Sequence, residues 1–339
     1  MLKVGIIGAT GYAGEELIKL LLNHPQVKIT LLQGLVEKST PIENIFKNLR
    51  SRTDLLCTNL DLEQIISKVD LVFLALPHKV SMEIVPTLLK HNKRVIDLSA
   101  DFRLKDPLVY EKWYQIKHVC PQFINEAVYG LPELYRSYIK KTNLIANPGC
   151  YPTSIILGLA PLIKNSKINL DQIIVDSKSG ITGAGRMPTP KTHFPNCYEN
   201  FSAYGIFSHR HTPEIDQELS FLACKEVKIV FTPHLLPINR GILSTIYVDL
   251  KNSMSQQQLL EIYINFYKKE PYIRILKEGE LPQIKDVAHT NYCDLGIFLD
   301  KNRKKVLIIS CIDNLIKGAS GQAVQNMNIM YDYKESSAL

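Results

Sequence analysis

Short apolar runs alternate with amphipathic stretches through the first hundred residues. Residues 4–7 are a short apolar run that stops at Gly8, and residues 27–32, 69–76 and 94–99 are further strand-length stretches with Val, Ile, Leu or Phe at half or more of their positions, which reads as a set of strands. Between them, residues 15–23 carry Leu17, Leu20 and Leu21 at helical spacing ahead of Pro25. Residues 80–91 carry Ile84, Leu88 and Leu89 on one side, and residues 61–68 also read as a helix. Strand alternating with helix predicts a parallel sheet with right-handed crossovers.

Beyond Pro152 the pattern changes. Residues 153–163 read as a helix, and strand candidates follow at 172–177, 227–232, 243–250, 273–276, 296–299 and 305–311. Only residues 256–268 read as a helix among them, so an antiparallel or mixed sheet is expected. A last helix at about residues 315–331 closes the chain, with no repeat and no low-complexity linker. At 339 residues two domains are expected rather than one core. The fold class is α/β: a Rossmann-like parallel-sheet half, then an α+β half.

Charge and cysteine usage narrow the partners. The net charge is +7, but the lysines and arginines are scattered with no basic run, so a site for an anionic small molecule is expected and no nucleic acid. The seven cysteines (Cys57, Cys120, Cys150, Cys197, Cys224, Cys293 and Cys311) are odd in number, far apart and without a Cys-x-x-Cys pair, which suits a reducing cytosol rather than a disulfide framework. No apolar run reaches the ~18 residues that span a bilayer. The first apolar residues already belong to a glycine motif, so removal of a signal peptide would destroy it. A cytoplasmic protein with no membrane partner is expected.

That motif is Gly8-Ala-Thr-Gly-Tyr-Ala-Gly14, spaced G-x-x-G-x-x-G between a strand and a helix. Glycine there permits a tight turn, lets backbone approach a pyrophosphate and lets helix pack on strand, while the helix end offers N–H groups and positive dipole. Gly8, Thr10, Gly11, Tyr12, Ala13 and Gly14 are therefore candidate dinucleotide-binding residues. The second strand ends in Gln33-Gly34 with no carboxylate for a ribose 2′-hydroxyl, and Lys38 and Ser39 follow. This leans towards NADP(H), with Glu37 weighing against.

Cys150 stands in Asn147-Pro-Gly-Cys-Tyr-Pro-Thr153. Proline favours the first turn of a helix, so Cys150 should lie at or next to an N-cap, where the dipole stabilises a thiolate. An ordinary thiol has a pKa of ~8.5, and half ionisation at neutral pH takes a change worth roughly 2 kcal/mol, which a helix end and one imidazolium can supply. The other six cysteines read as structural.

Ser208-His-Arg-His-Thr-Pro-Glu214 is the densest polar cluster. In extended conformation His209 and His211 share one face and Arg210 takes the other. Either histidine can be the acid/base partner of Cys150. The pair is also compatible with zinc, but no further ligand stands nearby and no metal is expected; a plain surface cluster is the third reading.

Together these residues resemble the N-acetyl-gamma-glutamyl-phosphate reductases of arginine biosynthesis, in their longer-chain form. The resemblance runs through Leu98-Ser-Ala-Asp-Phe-Arg103, the cysteine motif, Ser179-Gly-Ile-Thr-Gly-Ala-Gly-Arg186, the histidine motif, Phe231-Thr-Pro-His234, Asn239-Arg-Gly-Ile242 and residues 313–324. The related aspartate-semialdehyde dehydrogenases are the alternative; they usually carry a Gly-His after an Arg-x-Gly-like stretch, whereas Arg240-Gly241 here is followed by Ile242. An alternative of another class is a non-enzymatic NADP-sensing regulator, which needs the glycine loop but not Cys150.

The resemblance implies NADPH-dependent reduction of an acyl phosphate to an aldehyde and phosphate through a Cys150 thioester. His211 is the first choice for acid/base and His209 the second. Arg103 resembles the family's phosphate-binding position, with a surface salt bridge to Asp101 or Asp106 as the plain alternative. Arg210 and Arg240 are weaker substrate candidates, Gly180 lies in a loop placed for the nicotinamide, and Asn314 for its carboxamide. Lys317 reads as a charge on a helix face. The resemblance also implies a Rossmann domain of residues 1–148 completed by 314–339, a catalytic and dimerisation domain of 149–313, and a homodimer or homotetramer.

Overall fold

The computed structural model describes every residue except 301 and 303. The chain forms two compact units, Met1–Pro148 with Ala319–Leu339, and Gly149–Gly318.

The first unit is built on an eight-stranded sheet. Its spatial order is Thr40–Pro41, Leu56–Thr58, Val27–Gln33, Leu2–Ile7, Leu71–Leu74, Arg94–Asp97, Leu144–Ala146 and Val128–Tyr129. All neighbours are parallel except the first pair. The four long strands are the expected ones. The short strands Leu56–Thr58, Val128–Tyr129 and Leu144–Ala146 were not expected, because runs of two or three residues carry no periodicity. Both faces are covered, as a parallel sheet requires. On one face Val4, Ile6, Phe73 and Ile96 pack with Leu17, Leu21, Val324 and Met327; on the other Ile7, Val72, Leu74 and Val95 pack with Ile65, Met82, Val85 and Leu88.

The last helix is shorter than its periodicity predicts, Gly321–Met330. It is buried throughout, and its amides replace apolar contacts: Asn326 Nδ2 donates to the Gly130 carbonyl at 2.8 Å and to Asn147 Oδ1 at 3.1 Å. Ahead of it the chain makes a widened turn, with Gly318 N–H donating five residues back to the Asp313 carbonyl at 2.9 Å.

The second unit holds a seven-stranded mixed sheet. Its order is Ser202–Ala203, Val230–Leu236, Ile174–Gly180, Ile242–Asp249, Lys305–Ile312, Cys293–Asp300 and Ile273–Ile275. The helix Cys150–Lys164 lies on it, and Gly158 allows the approach: a Cβ there would stand 2.8 Å from Ile246 Cδ1. Pro161 removes the N–H that would serve the Leu157 carbonyl. The Tyr267 hydroxyl supplies the missing bond at 2.6 Å, from the helix Gln256–Tyr267. A helix absent from the expectation, Thr212–Ala223, packs beside the cysteine helix. Among the described residues no helix is long and apolar enough to cross a membrane.

Candidate active site

The glycine loop divides its labour. Gly8 has φ +91°, and a Cβ there would lie 2.2 Å from the Ala75 carbonyl oxygen. At Gly14 a Cβ would lie 2.4 Å from the Gly8 carbonyl oxygen and 2.7 Å from Ala9. Gly11 differs: it is the N-cap of Tyr12–Leu22, with φ −81°, and its Cβ would meet only the Gly8 carbonyl at 3.5 Å. The first and third glycines serve the fold; the second keeps the helix end open, so the residues present fit a dinucleotide pyrophosphate. Thr10, Tyr12 and Ala13 are half-buried around it, and Lys38 and Ser39 are exposed beyond the second strand. At that strand's end stands Gln33, whose side chain donates to the Leu60 carbonyl at 3.1 Å.

Arg103 is not a surface side chain. It is buried, with Nε donating to the Asn147 carbonyl and Nη2 to the Leu98 carbonyl, each at 2.7 Å. Asp101 instead accepts from Lys79 N–H, Met82 N–H and the Tyr110 hydroxyl, and Asp106 caps the helix Pro107–Tyr114. Asp97, fully buried beside Asp101, has its carboxyl pushed up by burial and then by that neighbouring charge. The guanidinium thus grips the chain three residues before Cys150.

Cys150 is the first residue of its helix, and Gly149 is the N-cap with φ −68° and ψ 154°. The first intrahelical bond runs from Thr153 N–H to the Gly149 carbonyl at 3.0 Å. The amides of the first turn therefore point out beside a half-buried thiol, where a helix end favours negative charge. Gly318 closes the other side: a Cβ there would come within 2.7 Å of Cys150 Cβ. Asp313 shapes that turn, its Oδ1 accepting from Leu315 and Ile316 N–H at 2.8 and 3.0 Å. Among the described residues the cysteines form no disulfide.

The histidine segment is not extended. The chain turns through residues 206–208, and His211 has helical φ and ψ as the N-cap of Thr212–Ala223. The rings still meet, because the turn brings residues two apart together: His209 and His211 have centroids 5.0 Å apart. Tyr151, next to Cys150, stands edge-on to both, at 5.4 Å from His209 and 5.9 Å from His211. Tyr204 and Phe231 complete the enclosure of His209, each at 5.4 Å. The Tyr204 hydroxyl donates to Tyr151 Oη at 3.1 Å, which donates to the His234 carbonyl at 3.3 Å. His209 Nδ1 accepts the His211 backbone N–H at 3.1 Å. Burial, with the Arg210 charge adding to it, pushes the His209 imidazole down to about 4. Burial also raises the Tyr151 and Tyr204 hydroxyls, Tyr204 to about 12.

The remaining candidates have structural partners. Arg240 Nη1 lies 3.4 Å from the buried Asp313 Oδ2, and Arg210 is exposed. Gly180 is glycine because the backbone of Asn239 and Arg240 crosses it: a Cβ would stand 2.6 Å from the Asn239 carbonyl oxygen. Asn314 Oδ1 accepts from Gly241 N–H at 2.7 Å, and its Nδ2 donates to the Thr182 hydroxyl at 3.0 Å. Lys317 is fully buried, with Nζ 5.8 Å from the Tyr272 ring centroid, so it is not a charge on a solvated helix face. Tyr151, Tyr204, Glu214, Asp313 and Gly318 join the site without having been singled out by sequence. Glu214 stood in the histidine motif itself, and a carboxylate at the third position of the helix that follows is the signal that could have found it.

Residues 3–142 match the family described as semialdehyde dehydrogenase, NAD binding domain, and residues 150–314 match semialdehyde dehydrogenase, dimerisation domain. Solved structures agree in fold. Aspartate semialdehyde dehydrogenase II from Vibrio cholerae superposes with a TM-score of 0.75 at 17% identity, covering 98% of this chain and 99% of that one. The aspartate semialdehyde dehydrogenase with NADP from Candida albicans gives 0.72 at 16%, covering 98% of each. The two family matches thus define an oxidoreductase of the semialdehyde dehydrogenase class with a nicotinamide-binding domain. Within that class, N-acetyl-gamma-glutamyl-phosphate reductases from Desulfotalea psychrophila and Desulforamulus reducens are 52% and 49% identical to it, each over 100% of this chain and 98% of the relative. The chain belongs to the N-acetyl-gamma-glutamyl-phosphate reductase family, as its motifs suggested.

Proposed function

We propose that the chain reduces N-acetyl-glutamyl 5-phosphate to N-acetyl-glutamate 5-semialdehyde and phosphate, in arginine biosynthesis, with NADPH as reductant and a thioester on Cys150. The observation that carries this is Cys150 at a helix start, followed in the chain by Tyr151, whose ring stands edge-on to His209 and His211, in a chain 52% identical over its whole length to a reductase of that name.

The Cys150 thiolate attacks the acyl phosphate carbonyl; the C–S bond forms, the C–O bond to phosphate breaks, and phosphate leaves. Bound NADPH supplies the hydride that reduces the thioester. His211 is the acid/base: it takes the thiol proton before attack and protonates the oxygen of the reduced adduct. It then reclaims that proton as the C–S bond breaks and the aldehyde departs. His209, its Nδ1 already accepting from backbone, presents a neutral Nε2–H donor to the substrate oxygen. Arg103 supplies charge for the phosphate, and Arg210 and Arg240 for the carboxylate. Asn314 and Gly180 shape the nicotinamide end. Lys38 and Ser39, with Gln33 where a carboxylate would select NAD, favour the 2′-phosphate of NADP.

The chain assembles as a homo-oligomer, a dimer or a tetramer. Val230, Ile174 and Tyr247 are register partners on three neighbouring strands, so they stand side by side on one sheet face. All three are exposed, at 45%, 47% and 39%. An exposed apolar row on the sheet suits a second copy of the chain.

The test is the reverse reaction, with N-acetyl-glutamate semialdehyde, NADP and phosphate. Phosphate-dependent NADPH formation, absent with aspartate semialdehyde, supports the reading. Cofactor binding without turnover of either aldehyde contradicts it.

A further inference from the structure

Two helix starts meet at the site, and neither is capped in the usual way. The cysteine helix starts at Gly149, which has no side chain, and its third residue is Pro152. It therefore lacks the third-position carboxylate that reaches back to the N-cap amide in a capping box. The histidine helix has such a carboxylate, Glu214, three residues after its N-cap His211. Glu214 has no need to serve that N-cap amide, because His211 N–H already donates to His209 Nδ1 at 3.1 Å. Glu214 reaches across instead and accepts Gly149 N–H through Oε1 at 2.8 Å, with only 1% of the residue exposed.

We infer that Glu214 is a positioning residue: the capping carboxylate of one helix serves the other, and so fixes Cys150 relative to the His209–His211 pair. One hydrogen bond links the residue before the nucleophile to the first turn behind the histidines. Its loss leaves Gly149 N–H buried without that acceptor and lets the two helix ends drift, and misplacement by about 1 Å can cost on the order of 100-fold in rate. The role rests on the reading that Cys150 and the histidines carry the chemistry.

The test compares Glu214→Ala with Glu214→Gln, which keeps an acceptor oxygen. Two quantities are read: steady-state kcat and KM, and the rate of iodoacetamide alkylation of Cys150 at neutral pH. The alkylation rate is followed by peptide mass spectrometry against the exposed Cys224 as internal reference. In Glu214→Ala, kcat falls at least tenfold with KM within threefold, and Cys150 alkylation changes at least threefold relative to Cys224. In Glu214→Gln, both return to within threefold of wild type. An alanine variant unchanged in both, or a glutamine variant as impaired as alanine, overturns the inference. If Glu214→Ala does not fold, Glu214→Asp, whose carboxylate stops one methylene short, replaces it with the same expectation. The alkylation arm needs no substrate, so it decides the role of Glu214 even if the proposed reaction fails.

Discussion

The backbone N–H of His211 donates to Nδ1 of His209 at 3.1 Å. That bond leaves the His209 proton on Nε2 and makes the ring a neutral donor, while burial among Tyr151, Tyr204 and Phe231 disfavours its charged form. Nitrogen-detected NMR should show His209 as the neutral Nε2–H form at pH 6. His211→Gln should lower kcat by about 100- to 10,000-fold, the usual range for a general acid/base, and His209→Gln by about tenfold. The reverse order of severity would reassign the acid/base to His209.

Acid should unfold the protein partly through the same ring. With its imidazole held down to about 4 from 6.5, folded His209 binds fewer protons than unfolded chain in that window. The stabilisation is complete above the upper value and is lost as pH falls towards the lower one, about 3 kcal/mol in all. Urea midpoints of wild type and His209→Gln should therefore converge between pH 7 and pH 4.5. A gap that stays constant across that range removes this account of the ring.

The three glycines of the cofactor loop should separate by substitution. Gly11→Ala meets only the Gly8 carbonyl, at an ordinary contact distance of 3.5 Å and an allowed φ, so melting should shift by no more than about 2 °C while NADP(H) affinity falls at least tenfold. Gly8→Ala and Gly14→Ala put Cβ against backbone, at 2.2 and 2.4 Å, and should cost more than about 2 kcal/mol of stability. In the same binding assay Lys38→Glu should narrow the preference for NADP over NAD. Equal melting losses at all three glycines would contradict the division of labour.

Much of this was legible in sequence because it is local. The strand-glycine-helix opening, the cysteine beside a proline at a helix start and the long apolar strands each declare themselves within ten residues. What was not legible depends on partners far along the chain. Arg103 is buried because the Leu98 and Asn147 carbonyls surround it, and Asn147 is 44 residues away. Glu214 meets Gly149 across 65 residues. The turn that ends the extended reading of the histidine motif comes at Phe207, which takes φ +54°, a conformation that apolar residues rarely announce. The burial of Lys317 follows from the widened turn at Asp313, which no helical periodicity reports.

The row Val230, Ile174 and Tyr247 predicts where copies of the chain meet. Ile174→Lys combined with Tyr247→Lys should lower the mass measured by light scattering to half or less of the wild-type value, with circular dichroism unchanged. An unchanged mass would place the contact elsewhere.

The most direct test of the central claim is to mix the protein with N-acetyl-glutamyl phosphate in the absence of NADPH and record its intact mass. The account predicts one equivalent of phosphate released and one acyl group gained, located on the Cys150 peptide and absent from Cys150→Ser. Phosphate release without a covalent acyl group, or acylation at another residue, would contradict it.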